Sequence, residues 1–368
     1  MTNMKRKTLL MMKKRNSMKR IAPIFLLVLM AFAFSCGNSK PNQQQSLDPK
    51  VAFDSLVTYI ERSGDFINSP QVPAMIAAYQ LYKEIDSNVL VIDMRSPQEF
   101  SAAHIPNSVN VAFTEVLNYF EGSINPNAFS KIVMVCNAGQ TASYATSLLR
   151  LLGYNNVYAL KWGFSAWHKP TAEKKWLARA SNSHSELLET DPKMMNQPGE
   201  FPEVETQKQA GYAILRERAH QLFNNGFNGV TVTPDTLFNP LHNFYIINYW
   251  PENLYLKGHI PQAVRYQPKK ALKRTEQLNT LPTNKPIVVY CFTGQHSSFV
   301  TVYLRLIGYE AYTLTYGANS FMNGFMLEQG IPNAFTESEI FDYPVSSGGG
   351  KAETKEVEEV TVSPRGGC

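Results

Sequence analysis

Val133-Met134-Val135-Cys136-Asn137-Ala138-Gly139-Gln140-Thr141-Ala142 decides how this chain is read. An apolar strand runs into a cysteine, a short loop with a glycine follows, and residues 143–152 carry a helix that Gly153 stops. A cysteine so placed faces a helix N-terminus and its free backbone N–H groups, which favour an anion and hence thiolate over thiol. Gly139 lets the loop curl tightly enough to bring those N–H groups to the sulfur.

The construction occurs twice. Ile287-Val288-Val289-Tyr290-Cys291-Phe292-Thr293-Gly294-Gln295-His296-Ser297 leads into a second helix that ends at Gly308. Cys291 lies 155 residues after Cys136, and Gly308 lies 155 after Gly153. The repeat is therefore of domain size, far longer than the roughly 20–50 residues of a solenoid unit. With 368 residues, 44% hydrophobic and 18% charged, the chain has material for about two globular domains.

The formal charge of +5 is a terminal effect. Eight of the Lys and Arg residues precede residue 36 with no acid among them, which leaves the remainder at −3. No basic footprint for nucleic acid is left on the folded part. Residues 21–35 are almost wholly apolar and follow Lys19-Arg20. That run is short for a membrane span of about 20 residues and suits an export signal. It ends Ala33-Phe34-Ser35-Cys36, which resembles the lipobox of bacterial lipoproteins and implies a lipid on Cys36. An ordinary signal peptide with an incidental cysteine is the alternative. The expected location is exported and membrane-anchored, on the periplasmic side or the cell surface. Cys36, Cys136, Cys291 and Cys368 have no zinc-site spacing, and four cysteines in an exported chain do not make a disulfide scaffold.

The expected organisation is a signal segment over 1–35, a tether over 36–50, a first domain over 51–180, a linker over 181–205, a second domain over 206–340 and a disordered tail over 341–368. Helices are expected over 51–62, 72–85 and 207–224. Continuous apolar strands are expected over 89–93, 131–135, 156–160 and 244–247. Buried strands alternating with helices imply an α/β fold with parallel sheets.

Three motifs in order resemble the rhodanese-like sulfurtransferases. Asp93-Met94-Arg95, Glu99-Phe100 and His104-Ile105-Pro106 come first, then Cys136 with Gly139, then Gly163-Phe164-Ser165-Ala166-Trp167. The second copy keeps Gly258-His259-Ile260-Pro261, Cys291 and Gly294, but has Asn248, Trp250, Leu254 and Phe321 for Asp93, Arg95, Glu99 and Trp167. The resemblance implies two tandem rhodanese-like domains, each a parallel sheet of about five strands flanked by helices. It also implies transfer of sulfane sulfur from thiosulfate, a persulfide or a polysulfide to a thiol or cyanide through a cysteine persulfide, with no metal and no cofactor. Cys136 and Cys291 are the candidate carriers. Their loops, Asn137 to Ala142 and Phe292 to Ser297, would hold the substrate.

Asp93 and Arg95 read as an ion pair bracing a turn, His104 and His259 as loop braces rather than bases, and Trp167 as a packing or pocket-wall residue. A phosphatase on the same fold would need a loop Arg for a bidentate hold on a dianion, and neither loop has one. The remaining rival is a non-enzymatic persulfide carrier or binding lipoprotein. Because His296 is the single titratable base in either loop, donors with little charge are expected to outperform thiosulfate.

Overall fold

Apolar runs alternating with helices become two parallel sheets. The computed structural model describes residues 46–349, so the export segment, Cys36, most of the tether and the chain from 350 to Cys368 lie outside the described residues. In the first half, β1 (Met75–Ile76), β2 (Val89–Asp93), β3 (Val109–Asn110), β4 (Lys131–Val135) and β5 (Val157–Leu160) lie in the order β1-β5-β4-β2-β3. In the second, β6 (Thr231–Val232), β7 (Tyr245–Asn248), β8 (Val264–Arg265), β9 (Ile287–Tyr290) and β10 (Ala311–Leu314) repeat it as β6-β10-β9-β7-β8. Every pairing is parallel. The central strands are apolar along most of their length because both sheet faces are covered.

The covering helices of the first half are α1 (Pro49–Arg62), α2 (Ala78–Glu84), α3 (Pro97–Ala102), α4 (Val116–Gly122), α5 (Gln140–Leu151), α6 (Phe164–Trp167), α7 (Lys169–Lys174) and α8 (Trp176–Arg179). Those of the second are α9 (Gly211–Asn225), α10 (Pro234–Phe238), α11 (Glu252–Tyr255), α12 (Gln295–Leu306) and α13 (Asn319–Glu328). The helix expected over 72–85 is shorter. Met75 and Ile76 pair instead with Ala159 and Leu160, because an open sheet edge satisfies their backbone groups and overrides a weak helical preference.

The halves are interleaved. Helix α1 precedes the first sheet but packs on the second half: Arg274 donates to Asp54 at 2.7 Å, and Arg274 N donates to Glu61 Oε1 at 2.8 Å. Helix α9 precedes the second sheet but packs on the first. Phe223 lies against Phe113 with centroids 5.2 Å apart, a contact worth about 0.5–1.5 kcal/mol beyond burial, and Arg216 grips Glu121 at 2.8 and 2.9 Å. The trailing segments cross as well. Glu189, in the expected linker, exchanges backbone bonds with His259 at 2.9 Å, and Ser346 does so with His104 at 2.9 Å. One apolar core runs through both halves, and both sheets belong to a single compact unit.

The expectation of a disordered tail is corrected for residues 341–349. Phe341 N and Tyr343 N donate to Ala166 O and Trp167 O, and the Tyr343 ring stacks on Tyr82 at 4.0 Å. Two aromatic rings and a short ladder give this stretch its reason to dock.

Candidate active site

Cys136 follows β4 and faces the start of α5, at the carboxyl edge of the sheet where parallel folds place their sites. Its Sγ accepts from Gly139 N at 3.1 Å and from Ala142 N at 3.4 Å. The thiol itself is 7% exposed. Here burial opposes the expectation of a ready thiolate. Burial pushes the Cys136 thiol above its ordinary value, and the N–H groups of Ala142, Gly139 and Ala138 offset this in part. The reactive form is the thiolate, so a raised thiol pKa leaves less of it at pH 7. Alkylation of Cys136 is expected to climb steeply with pH through and beyond the usual cysteine range, about 8.5. A rate already flat at neutral pH would show that the N–H groups outweigh burial.

The loop is held from several sides. Asn137 Nδ2 donates to Glu99 Oε1 at 2.8 Å, and Asn137 O accepts from Ser165 Oγ at 2.8 Å. Glu99 also closes the α3 capping box with Ser96. Burial would raise its carboxyl, but the bonds from Asn137 and Ser96, with Lys175 nearby, hold it below the ordinary range. Arg95 does not reach the sulfur. It is locked on Asp93 at 2.5 Å, donates to Ala103 O at 2.7 Å and covers the Phe164 ring at 3.7 Å, so the Asp93–Arg95 brace read from the sequence is what forms. His104 Nδ1 meets Phe100 O at 2.8 Å, and His259 Nδ1 meets Tyr255 O at 2.9 Å; both rings brace loops. Trp167 is a packing residue whose Nε1 donates to Pro344 O at 2.9 Å, anchoring the crossing segment.

The second loop differs. Ser297 N donates to Cys291 Sγ at 3.2 Å, and Thr293 Oγ1 stands 4.0 Å from it. Phe292 stacks on Trp250 at 4.7 Å, and Cys291 is 2% exposed. Asn248 Oδ1, Trp250 Nε1 and His259 Nε2 are buried without a hydrogen-bond partner among the described residues. His296 is not a cation: burial lowers it to about 3, with Lys269 adding to the effect.

Two loop residues serve the opposite site. Gln140 crosses to the second half, where its Nε2 donates to Leu314 O at 3.1 Å and its Oε1 accepts from Tyr316 N at 2.8 Å. Gln295 crosses the other way, with Oε1 accepting from Trp162 N at 2.8 Å and Nε2 donating to Leu160 O at 3.3 Å. Each amide lies against the other loop's glycine. A Cβ on Gly139 would meet Gln295 Nε2 at 2.3 Å, and one on Gly294 would meet Gln140 Nε2 at 2.4 Å. The sequence carried a trace of this: Cys, Gly and Gln recur in both loops while the residues between them change. Removing Gln295 leaves the buried Trp162 N–H unpaired, so Gln295→Ala is expected to cost about 1–3 kcal/mol in urea unfolding. A loss below about 0.5 kcal/mol would mean that water replaces the amide.

Comparison with known proteins follows the same lines. The rhodanese-like domain model matches residues 77–170 and 237–323, once over each sheet. Thiosulfate sulfurtransferase GlpE of Shewanella oneidensis is 33% identical over 85 residues, covering 23% of this chain and 81% of that protein. GlpE of Pseudoalteromonas translucida is 29% identical over 87 residues, covering 24% and 80%. The tRNA uridine(34) hydroxylase of Rickettsia typhi is 34% identical over 91 residues, but the match covers 24% of this chain and only 36% of that relative. With the cysteine loop, its glycine and the five-stranded parallel sheet all present twice, the chain belongs to the rhodanese-like family.

Proposed function

We propose that this chain is a sulfurtransferase whose carrier is Cys136. The observation that supports this most is the cradle of Gly139 and Ala142 N–H groups on a cysteine that no disulfide occupies. The Cys136 thiolate attacks the outer sulfur of a sulfane donor. A new S–S bond forms, the donor's S–S bond breaks, and the donor remainder leaves with the electron pair as sulfite or a thiolate. The N–H groups that hold the Cys136 sulfur also suit the negative charge of the persulfide. A thiol or cyanide then takes the outer sulfur and regenerates the thiolate.

Cys291, the more buried of the two, is the lesser candidate, and the second half serves chiefly to brace the first through Gln295. Export with a lipid on Cys36 is part of the same proposal, on the sequence pattern of residues 19–36 alone.

Intact mass after treatment with donor tests the reading. A gain of one sulfur atom that cyanide removes supports it, and a protein that never gains sulfur from thiosulfate, persulfide or polysulfide is a binding lipoprotein instead.

A further inference from the structure

Gly139 N makes the shorter of the two backbone bonds to the Cys136 sulfur, 3.1 Å against 3.4 Å from Ala142 N. Gly139 has φ +93° and no side chain, so nothing in the residue itself fixes where that N–H points. Two groups fill the space where its Cβ would stand: the Gln295 amide, with Cδ 2.6 Å away, and Gly163 N, at 3.1 Å.

Gln295 also holds the second of these groups in place. Its Oε1 accepts from Trp162 N at 2.8 Å and its Nε2 donates to Leu160 O at 3.3 Å, so the end of β5 and the turn that delivers Gly163 hang from one amide. Just beyond that turn, Phe164 N donates to Cys136 O at 2.8 Å. The amide itself has little freedom. Gln295 is fully buried, Ser143 Oγ stands 3.5 Å from its Nε2, and its backbone N donates to Thr293 Oγ1 at 3.1 Å where α12 begins. The second copy lacks counterparts of Asp93, Arg95, Glu99 and Trp167, yet its loop supplies this amide to the first.

We infer that Gln295 is a positioning residue for Cys136: the second half completes the first half's site by fixing the Gly139 N–H against the sulfur. The inference deepens the reading of Cys136 as the sulfur carrier and rests on it for the transfer rates. Gln295 acts through Gly139 and the Gly163 turn. Burial penalises the Cys136 thiolate, and the Gly139 N–H is among the groups that offset the penalty. Without the amide, the Trp162–Gly163 turn loses its anchor and Gly139 its neighbour. The N–H drifts from the sulfur, and less thiolate is present to react.

The test follows Cys136 in the full chain by its rate of alkylation with iodoacetamide at pH 7, read by mass on the Cys136 peptide. A residue that merely held the halves together would, when lost, loosen the fold, expose a thiol now 7% exposed and speed alkylation. A positioning residue gives the opposite sign. Gln295→Ala is expected to slow alkylation by about tenfold, the scale of one hydrogen bond to a charged group. Gln295→Met is expected to do the same, and it fills the space without the bonds, so it serves where the alanine variant fails to fold. Ser147→Ala is the control. Ser147 Oγ donates to Phe299 O at 3.0 Å across the contact between α5 and α12, and its loss should leave alkylation unchanged or faster. In transfer from thiosulfate to cyanide, kcat and kcat/KM of Gln295→Met are expected to fall together by about tenfold. Alkylation of Gln295→Met as fast as wild type, or faster, overturns the inference. A wild-type chain that transfers no sulfur overturns the carrier reading instead, and the alkylation rates still decide the role of Gln295.

Discussion

Cys136→Ser is expected to lose sulfur transfer by on the order of a thousandfold or more, the scale on which removal of a nucleophile is felt. A hydroxyl has neither the nucleophilicity nor the polarisable lone pairs to hold a sulfane sulfur. The variant should still fold, because Ser Oγ can accept the same Gly139 and Ala142 N–H bonds that Sγ accepts at 3.1 and 3.4 Å. Cys291→Ser is expected to keep most of the activity, since Cys291 is 2% exposed against 7% at Cys136 and its half has lost the Asp93–Arg95 pair. Steady-state rates on both variants, with unfolding curves beside them, separate chemistry from stability. Comparable losses in the two would make the loops equal partners, and loss confined to Cys291→Ser would move the site to the second half.

The second large effect falls on a glycine that contributes no side chain. Gly163 has φ +65° and ψ −157°, a region open almost solely to glycine. A Cβ there would meet Cys136 O and Gly139 N at 2.5 Å and Ala138 N at 2.8 Å. All three are backbone atoms of the active loop, so no side chain can turn aside to make room. Gly163→Ala is expected to cost about 3 kcal/mol or more, combining the backbone conformation with the clash. It should also lower kcat/KM by about a hundredfold in whatever protein remains folded, since a shift of about 1 Å at Gly139 N removes its bond to sulfur. Gly153→Ala is the matched control. Gly153 also has positive φ, +100°, but open space where the Cβ would go, so only the conformational cost of about 1–2 kcal/mol applies and activity should persist. Similar losses of activity in both variants would show that backbone strain alone, not the approach of Gly163 to the loop, is responsible.

Close-range signals made much of this protein legible in its sequence. Val89–Asp93 and Lys131–Val135 are continuous apolar runs because both faces of a parallel strand are buried, and they are found as strands with those bounds. The cysteine, its glycine and the helix that follows lie within one short segment, and the 155-residue offset showed the unit to be duplicated. The Asp93–Arg95 brace spans two residues, so it too was readable.

What the tertiary structure alone decided is what lies far apart along the chain. Gln140 reads as a loop residue until Tyr316 N is found bonded to it. Nothing in residues 49–62 announces that their helix serves the second half. Nor does the aromatic pattern of Phe341 and Tyr343 reveal that they dock on Ala166 and Trp167. The local pattern records which residues face a core, because periodicity is set by near neighbours. It does not record which of two equivalent cores a helix or an amide will join, because that is decided by packing between surfaces more than a hundred residues apart.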